Sequence, residues 1–360
     1  MGNRTWRAAM EQSLYGDGGF YHRPEGGPGR HFRTSTSASV HFARAIARLL
    51  AQVDEALGRP EVIEFVEVAA ARGALLTAVA AVVPEEAPVL VSRLRLAGVE
   101  LAARPDAVPA DIAWYPSLDD RAPVHGLLLA NEWLDNVALD VVTETESGPR
   151  VLLVDQAGVE LAGPAPAPDD LAWLAAWWGR REVGDRAEIG LPRDVAWAGA
   201  VARVHRGLAV AIDYGHLRAD RDAGVYSGGS LTGYRDGRQV APVPDGSCDI
   251  TAHVALDSVA AAGSAAAQQA AGSGPAKVTD QRTALRALGI AGGRPDRSLA
   301  SSDPRGYLQA LQSAGQQGEL TAPGGLGDFG WVLQPVGVPL PEHDFDKPRA
   351  GSTRGFRLGF

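Results

Sequence analysis

Three short apolar runs, Val62 to Val68, Gly126 to Ala130 and Leu208 to Ile212, each break off into small or acidic residues, with helix-spaced apolar residues between them. A strand buried on both faces reads as a near-continuous apolar run, not an alternating one. The first run passes through a small-residue turn, Ala69 to Gly73, into Leu75, Leu76, Val79, Val82 and Val83 at helical spacing, which Pro84 ends. Strand, turn and helix in that succession predict an open α/β sheet, not an all-β or all-α fold. In such a sheet ligands bind beyond the carboxyl ends of the strands, where the strand order reverses.

The remaining pattern fills in around this frame. Thr34 to Ser39 offers N-cap candidates for a helix carrying Val40, Ala43, Ile46, Ala47 and Leu50, ending near Ala56. Val89 to Val91 reads as the second strand, followed by a helix through Val99 and Leu101. Asp140 to Val154 reads as a hairpin around Ser147-Gly148. A Trp-rich helical stretch, Leu171 to Trp178, is expected to pack inward. Helices are expected over Val195 to Val204, closed by Gly207, over Val254 to Ala270 and over Thr283 to Leu288. Arg218 to Asp249 reads as loop, Phe329 to Leu333 as a final strand, and the tail after Pro339 as loose. The resulting division is 1–56, an N-terminal Gly-rich loop and helix packing on the core; 57–340, the core with helical insertions around 165–205 and 254–320; and 341–360, a tail.

Composition removes several function classes. A net charge of −9 argues against a nucleic-acid backbone binder. One cysteine, Cys248, rules out a disulfide framework and a cysteine-ligated zinc site. The histidines lack metal-ligand spacing, so no metal site is expected. No apolar run approaches the roughly 18 residues of a membrane span, and Met1 to Met10 has no signal-peptide centre. A cytoplasmic protein is the expectation.

Chemistry should lie where strands end. The turn from Glu67 to Gly73 is built of small residues, which lets a backbone approach a ligand, or simply lets helix and strand pack closely. Asn131, Glu132 and Asp135 follow a buried strand. They face solvent or a cleft, because burying them unpartnered is costly, or they cap a helix. Asp213 ends a further strand, as a ligand-facing or a capping aspartate. His253 is either a general base or a packed, hydrogen-bonded histidine. No Gly-x-Ser-x-Gly elbow and no P-loop is present.

Taken in order, these segments resemble the MidA-like methyltransferases, a family that includes mitochondrial complex I assembly factors. Tyr15 to Tyr21 resembles Y-G-x-x-G-Y-Y, and Phe32 to Ser35 part of G-D-F-x-T-[SA]-P-E. Glu67 to Leu75 is similar to E-[LI]-G-x-G-x-G-x-L, Ala130 to Asp135 to A-N-E-[FWL]-L-D, and Ile212 to Gly215 to I-D-Y-G. Gly229 to Arg235, Asp249 to Val254 and Thr279 to Ile290 continue the series. The resemblance implies a Rossmann-like class I methyltransferase core and S-adenosylmethionine as cofactor. It implies a protein arginine as acceptor. Glu67, Ala69, Ala71, Gly73, Thr34 and Asn131 would bind the cofactor, and Glu132, Asp135 and Asn131 would lie at the transfer site.

The sequence departs from that pattern around the cofactor. Ala69 and Ala71 replace motif glycines, Arg30 and His31 stand for Gly-Asp, and Thr36 and Ser37 stand for Pro-Glu. No ribose-binding acid follows a strand at Val89 to Val91. Three readings follow: an active methyltransferase, a non-catalytic relative that binds a protein partner as an assembly factor, or a small-molecule methyltransferase of specialised metabolism. They part on whether Ala69 to Gly73 leaves a pocket open or fills it.

Overall fold

The computed structural model describes residues 2–22, 39–179 and 181–341. At its centre lies a seven-stranded sheet. In chain order the strands are β1 (Ile63–Val68), β2 (Leu94–Val99), β3 (Ala113–Tyr115), β4 (Val124–Asn131), β5 (Val204–Asp213), β6 (Lys277–Asp280) and β7 (Gly330–Val336). Across the sheet they lie in the order β3-β2-β1-β4-β5-β7-β6. From β3 to β5 every neighbour is parallel; β7 runs antiparallel between β5 and β6. The order reverses between β1 and β4, which opens a crevice at their carboxyl ends.

Side chains alternate along each strand, so one apolar run supplies two core layers. Phe65, Leu127, Leu129 and Val210 face α1 (Val40–Ala56) and α2 (Ala74–Glu86). Val66, Leu128, Ala209 and Ala211 face α3 (Leu191–Ala202) and α4 (Leu256–Ala271). Burying a side chain such as Phe65 completely contributes about 2 kcal/mol, and it is fully buried. α1 begins where expected: Ser39 caps it, its hydroxyl accepting the His41 N–H at 3.1 Å. α5 (Gln281–Ala287) and α6 (Pro304–Thr321) complete the face that carries α1.

Among the described residues there are three smaller sheets, one of them the short parallel pair Gly215–His216 and Val254–Ala255. Val141–Thr145 and Gly148–Val154 form the expected hairpin. Arg186–Glu188, Glu160–Ala162 and Arg4–Thr5 extend it. The helical part expected around 165–205 is therefore preceded and interrupted by strands, and comprises Pro168–Trp173, Leu174–Trp178 and α3. Trp173 and Trp178 are buried as expected. Thr232–Arg235 pairs with Arg238–Val240 and with Asp249–Thr251, in a stretch that reads as loop.

Three boundaries differ from expectation. Val89 to Val91 is no strand: Pro88–Leu90 is a single 3₁₀ turn, and Val89 and Val91 are 63% and 56% exposed. The second strand is instead Leu94–Val99, where a helix was expected, aligned with β1 from Ile63 opposite Leu94. Val204 starts β5 and does not end a helix, and Gly207 lies inside that strand. The tail beyond 341, with Arg30, His31 and Thr34, lies outside the described residues. Among the described residues no helix is long and apolar enough to cross a membrane.

Candidate active site

The crevice opens into a cavity of about 1390 Å³. Ligand pockets commonly span roughly 300–1,000 Å³, so there is room for two molecules side by side. Glu67, Ala69, Ala71, Asn131, Glu132 and Asp135 all line it. Gly73 does not. It takes a left-handed φ of 70° as the N-cap of α2, and a Cβ there would stand 2.7 Å from Val108 Cγ2. Its part is to let the turn and helix close onto the β3 side.

The turn after β1 decides what the lost glycines mean. Ala69 and Ala71 have φ of 55° and 46°. This is the conformation that glycine adopts without penalty and that costs an L-residue about 1–2 kcal/mol. The backbone thus keeps the glycine geometry although the side chains have changed, and both alanines face open cavity. Glu67, buried before the turn, is pushed up to about 8 by loss of solvent, offset in part by the Leu76 N–H and raised further by Glu100. One of its oxygens, Oε2, has no partner among the described residues.

Glu100 is the residue that the sequence reading missed. With β2 placed at Leu94–Val99, it is the first residue beyond the strand and lines the cavity. Its carboxylate accepts the Ala71 N–H at 2.9 Å and the Ala102 N–H at 3.2 Å. An acid therefore does follow the second strand. Ser92-Arg93 lies at the opposite end of β2, where Arg93 forms an ion pair with buried Asp54 at 2.7 Å.

Asn131 ends β4, and its Nδ2 donates to Glu132 Oε1 at 3.0 Å while Oδ1 has no partner among the described residues. Glu132 is held at φ 51° and donates its N–H to the Ile212 carbonyl at 2.8 Å. Strained non-glycine backbone of this kind concentrates at functional sites. The next turn hangs on Asp213, whose Oδ2 accepts the N–H groups of Leu134 and Asp135 at 3.0 and 3.1 Å. Asp213 is thus a capping aspartate.

Asp135 Oδ2 accepts from Tyr214 and from Thr251, while Oδ1 is unpartnered among the described residues. Burial pushes its pKa up, and hydrogen bonds from Tyr214 and Thr251 and the nearby Arg193 charge pull it back. Arg193, wholly buried, donates to the carbonyls of Asp135, Val137, Ala252 and His253. His253 takes the plainer of its two roles: Nδ1 lies 2.9 Å from the Tyr226 hydroxyl and the ring packs on Tyr214.

The sequence profile of a family of S-adenosyl-L-methionine-dependent methyltransferases matches residues 45–274. No curated protein matches the chain significantly. Among solved structures, the chain is similar to a Burkholderia thailandensis protein bound to S-adenosyl-homocysteine. Their sequence identity is 24%, the TM-score is 0.75, and the match covers 94% of this chain and 89% of that one. A native crystal structure of a protein from the same organism gives a TM-score of 0.73 at 24% identity, with the same coverage. These two likenesses establish the fold. The profile match, spanning more than half of the sequence, shows that the chain belongs to this family of S-adenosyl-L-methionine-dependent methyltransferases.

Proposed function

We propose that this protein, a MidA-like member of its family, transfers a methyl group from S-adenosylmethionine to an arginine of a protein substrate. The observation that carries the reading is one continuous cavity joining a glycine-like turn to an acid-rich end. Among the described lining residues nine are carboxylates and three are arginines, a balance that favours a cationic acceptor.

The residues present fit the cofactor. Ala69 and Ala71 hold the open turn, Glu100 offers a carboxylate beside it for hydroxyl groups, and Glu67 and Asn131 present buried acceptor atoms without donors. Such atoms match the ammonium end of an amino-acid moiety. The cofactor supplies a methyl group already activated on a sulfonium. Glu132 and Asp135, which line the same cavity, would hold and orient the acceptor nitrogen. Either carboxylate could take the proton that the acceptor nitrogen would shed on methylation. An open turn speaks against the reading in which the site has been filled and only a binding role is left.

Calorimetric titration with S-adenosylmethionine and S-adenosylhomocysteine tests this reading. Binding in the micromolar range, lost in Ala71→Trp, is expected. No heat at millimolar ligand would refute it.

A further inference from the structure

We infer that Asp249 and Asp135, with the stacked Tyr15 and Tyr21 rings beside them, form a paired-carboxylate grip that holds the cationic guanidinium of the acceptor. This builds on the proposed methyl transfer and adds to it a second carboxylate that the strand-end pattern does not single out.

Asp249 opens the strand Asp249–Thr251, is 3% exposed and lines the cavity. Its Oδ1 accepts from Asn136 Nδ2 at 3.0 Å, and the Tyr21 hydroxyl lies 3.3 Å from both of its oxygens. Thr251, two residues on, binds Asp135 at 2.8 Å. One short strand therefore ties the two acids into a single wall. Asp135 contributes the feature that points to a ligand: a carboxylate 4% exposed, lining the cavity, with Oδ1 unpartnered among the described residues.

The nearby buried cation acts on Asp135 through its charge alone. Arg193 directs its hydrogen bonds to backbone carbonyls, including that of Asp135, and none to either side chain. Two buried acids without a hydrogen-bonded cation cannot both ionise cheaply. The groups around them are Tyr15 and Tyr21 from the N-terminal segment, Asn136 after β4, Tyr234 from the adjoining strand, and Arg193, Asp213 and Tyr214 behind Asp135. Burial, and then Asp135, push Asp249 up to about 8. In the empty protein the pair therefore retains a proton at neutral pH, which leaves for solvent when a cation enters.

A self-stacked aromatic pair adjoins the two acids. The Tyr15 and Tyr21 rings stack with centroids 5.4 Å apart and 10° between planes. Aromatic faces attract guanidinium groups, and carboxylates grip them through paired hydrogen bonds.

The test uses protein loaded with S-adenosylhomocysteine, titrated with N-acetyl-L-arginine amide and with N-acetyl-L-citrulline amide, its neutral isostere. The arginine compound should bind about tenfold or more tightly, as expected of a charge-assisted pair, with a buffer-dependent heat that reports proton release. In Asp249→Asn the preference should vanish while S-adenosylhomocysteine affinity stays within about twofold, since Asp249 lies outside the cofactor turn. Equal binding of the two amides by wild type, binding of neither, or a preference that survives in Asp249→Asn overturns the inference. The wild-type comparison decides even if the variant does not fold. Failure to load S-adenosylhomocysteine refutes the proposed methyl transfer itself, which separates the two failures.

Discussion

Replacing Ala69 and Ala71 by glycine should make this protein more stable, against the usual effect of adding glycine to a chain. Both residues occupy left-handed backbone, at φ 55° and 46°. That conformation costs an L-residue about 1–2 kcal/mol. Glycine removes this strain but gives the unfolded chain more freedom, at a cost of about 0.4–1 kcal/mol. The net gain is then about 0.5–1 kcal/mol per site, or about 1–2 kcal/mol for the pair if the sites are independent. An unfolding entropy near 2.1 cal/mol/K per residue gives about 0.75 kcal/mol/K for this length, so Tm should rise by roughly 1.5–2.5 °C. Ala70 supplies the control. It is 3% exposed and lies outside the left-handed region, so Ala70→Gly should lower stability by about 1 kcal/mol. Differential scanning calorimetry on wild type, the double variant and Ala70→Gly reads all of this. If the double variant melts at or below wild type, the strain argument is wrong.

Two further outcomes follow from the acids of the cavity. Glu100→Gln keeps an acceptor for the Ala71 N–H but loses the charge, so S-adenosylhomocysteine affinity should fall about tenfold with Tm nearly unchanged; calorimetry showing equal affinity would count against a cofactor role for Glu100. Glu67 and Asp249, at about 8 against ordinary values of 4.5 and 3.8, bind protons more tightly folded than unfolded, so their contribution to ligand-free stability should be fully present below about pH 4 and decline as pH rises through about 8, each group contributing up to about 1.4 kcal/mol per unit. Urea unfolding between pH 5 and 8 should show a shallower decline in Asp249→Asn than in wild type, and identical slopes would contradict the assignment.

The sheet was legible wherever burial on both faces produced an unbroken apolar run, as at Phe65-Val66 and Leu127 to Leu129. β2 was not, because its first half is only partly buried and carries Arg95, while the apolar triplet Val89 to Val91 sits on an exposed turn. That one misplacement hid Glu100 and made the cofactor site look depleted. The fate of Ala69 and Ala71 was equally out of reach, since residue type does not report a dihedral angle when tertiary contacts hold it. Asp249, Tyr15 and Tyr21 converge from distant parts of the sequence, and no local spacing encodes that meeting. The strand-end segment from Asn131 to Asp135 was legible because its polar residues break abruptly from an apolar run.

Arg193 also sets a limit on how the cavity can breathe. Its guanidinium fastens the stretch Asp135 to Val137, which follows the central strand, to Ala252 and His253, which follow the strand bearing Asp249. Hydrogen bonds from a charged donor contribute about 1.5–3 kcal/mol each, and pulling the two segments apart would leave a buried charge without its hydrogen-bond partners. Hinge opening along this seam is therefore closed off during turnover. On the proposed reading, a protein substrate would thread its side chain in through the mouth, so that reach and girth, more than surface fit, would decide which residue arrives.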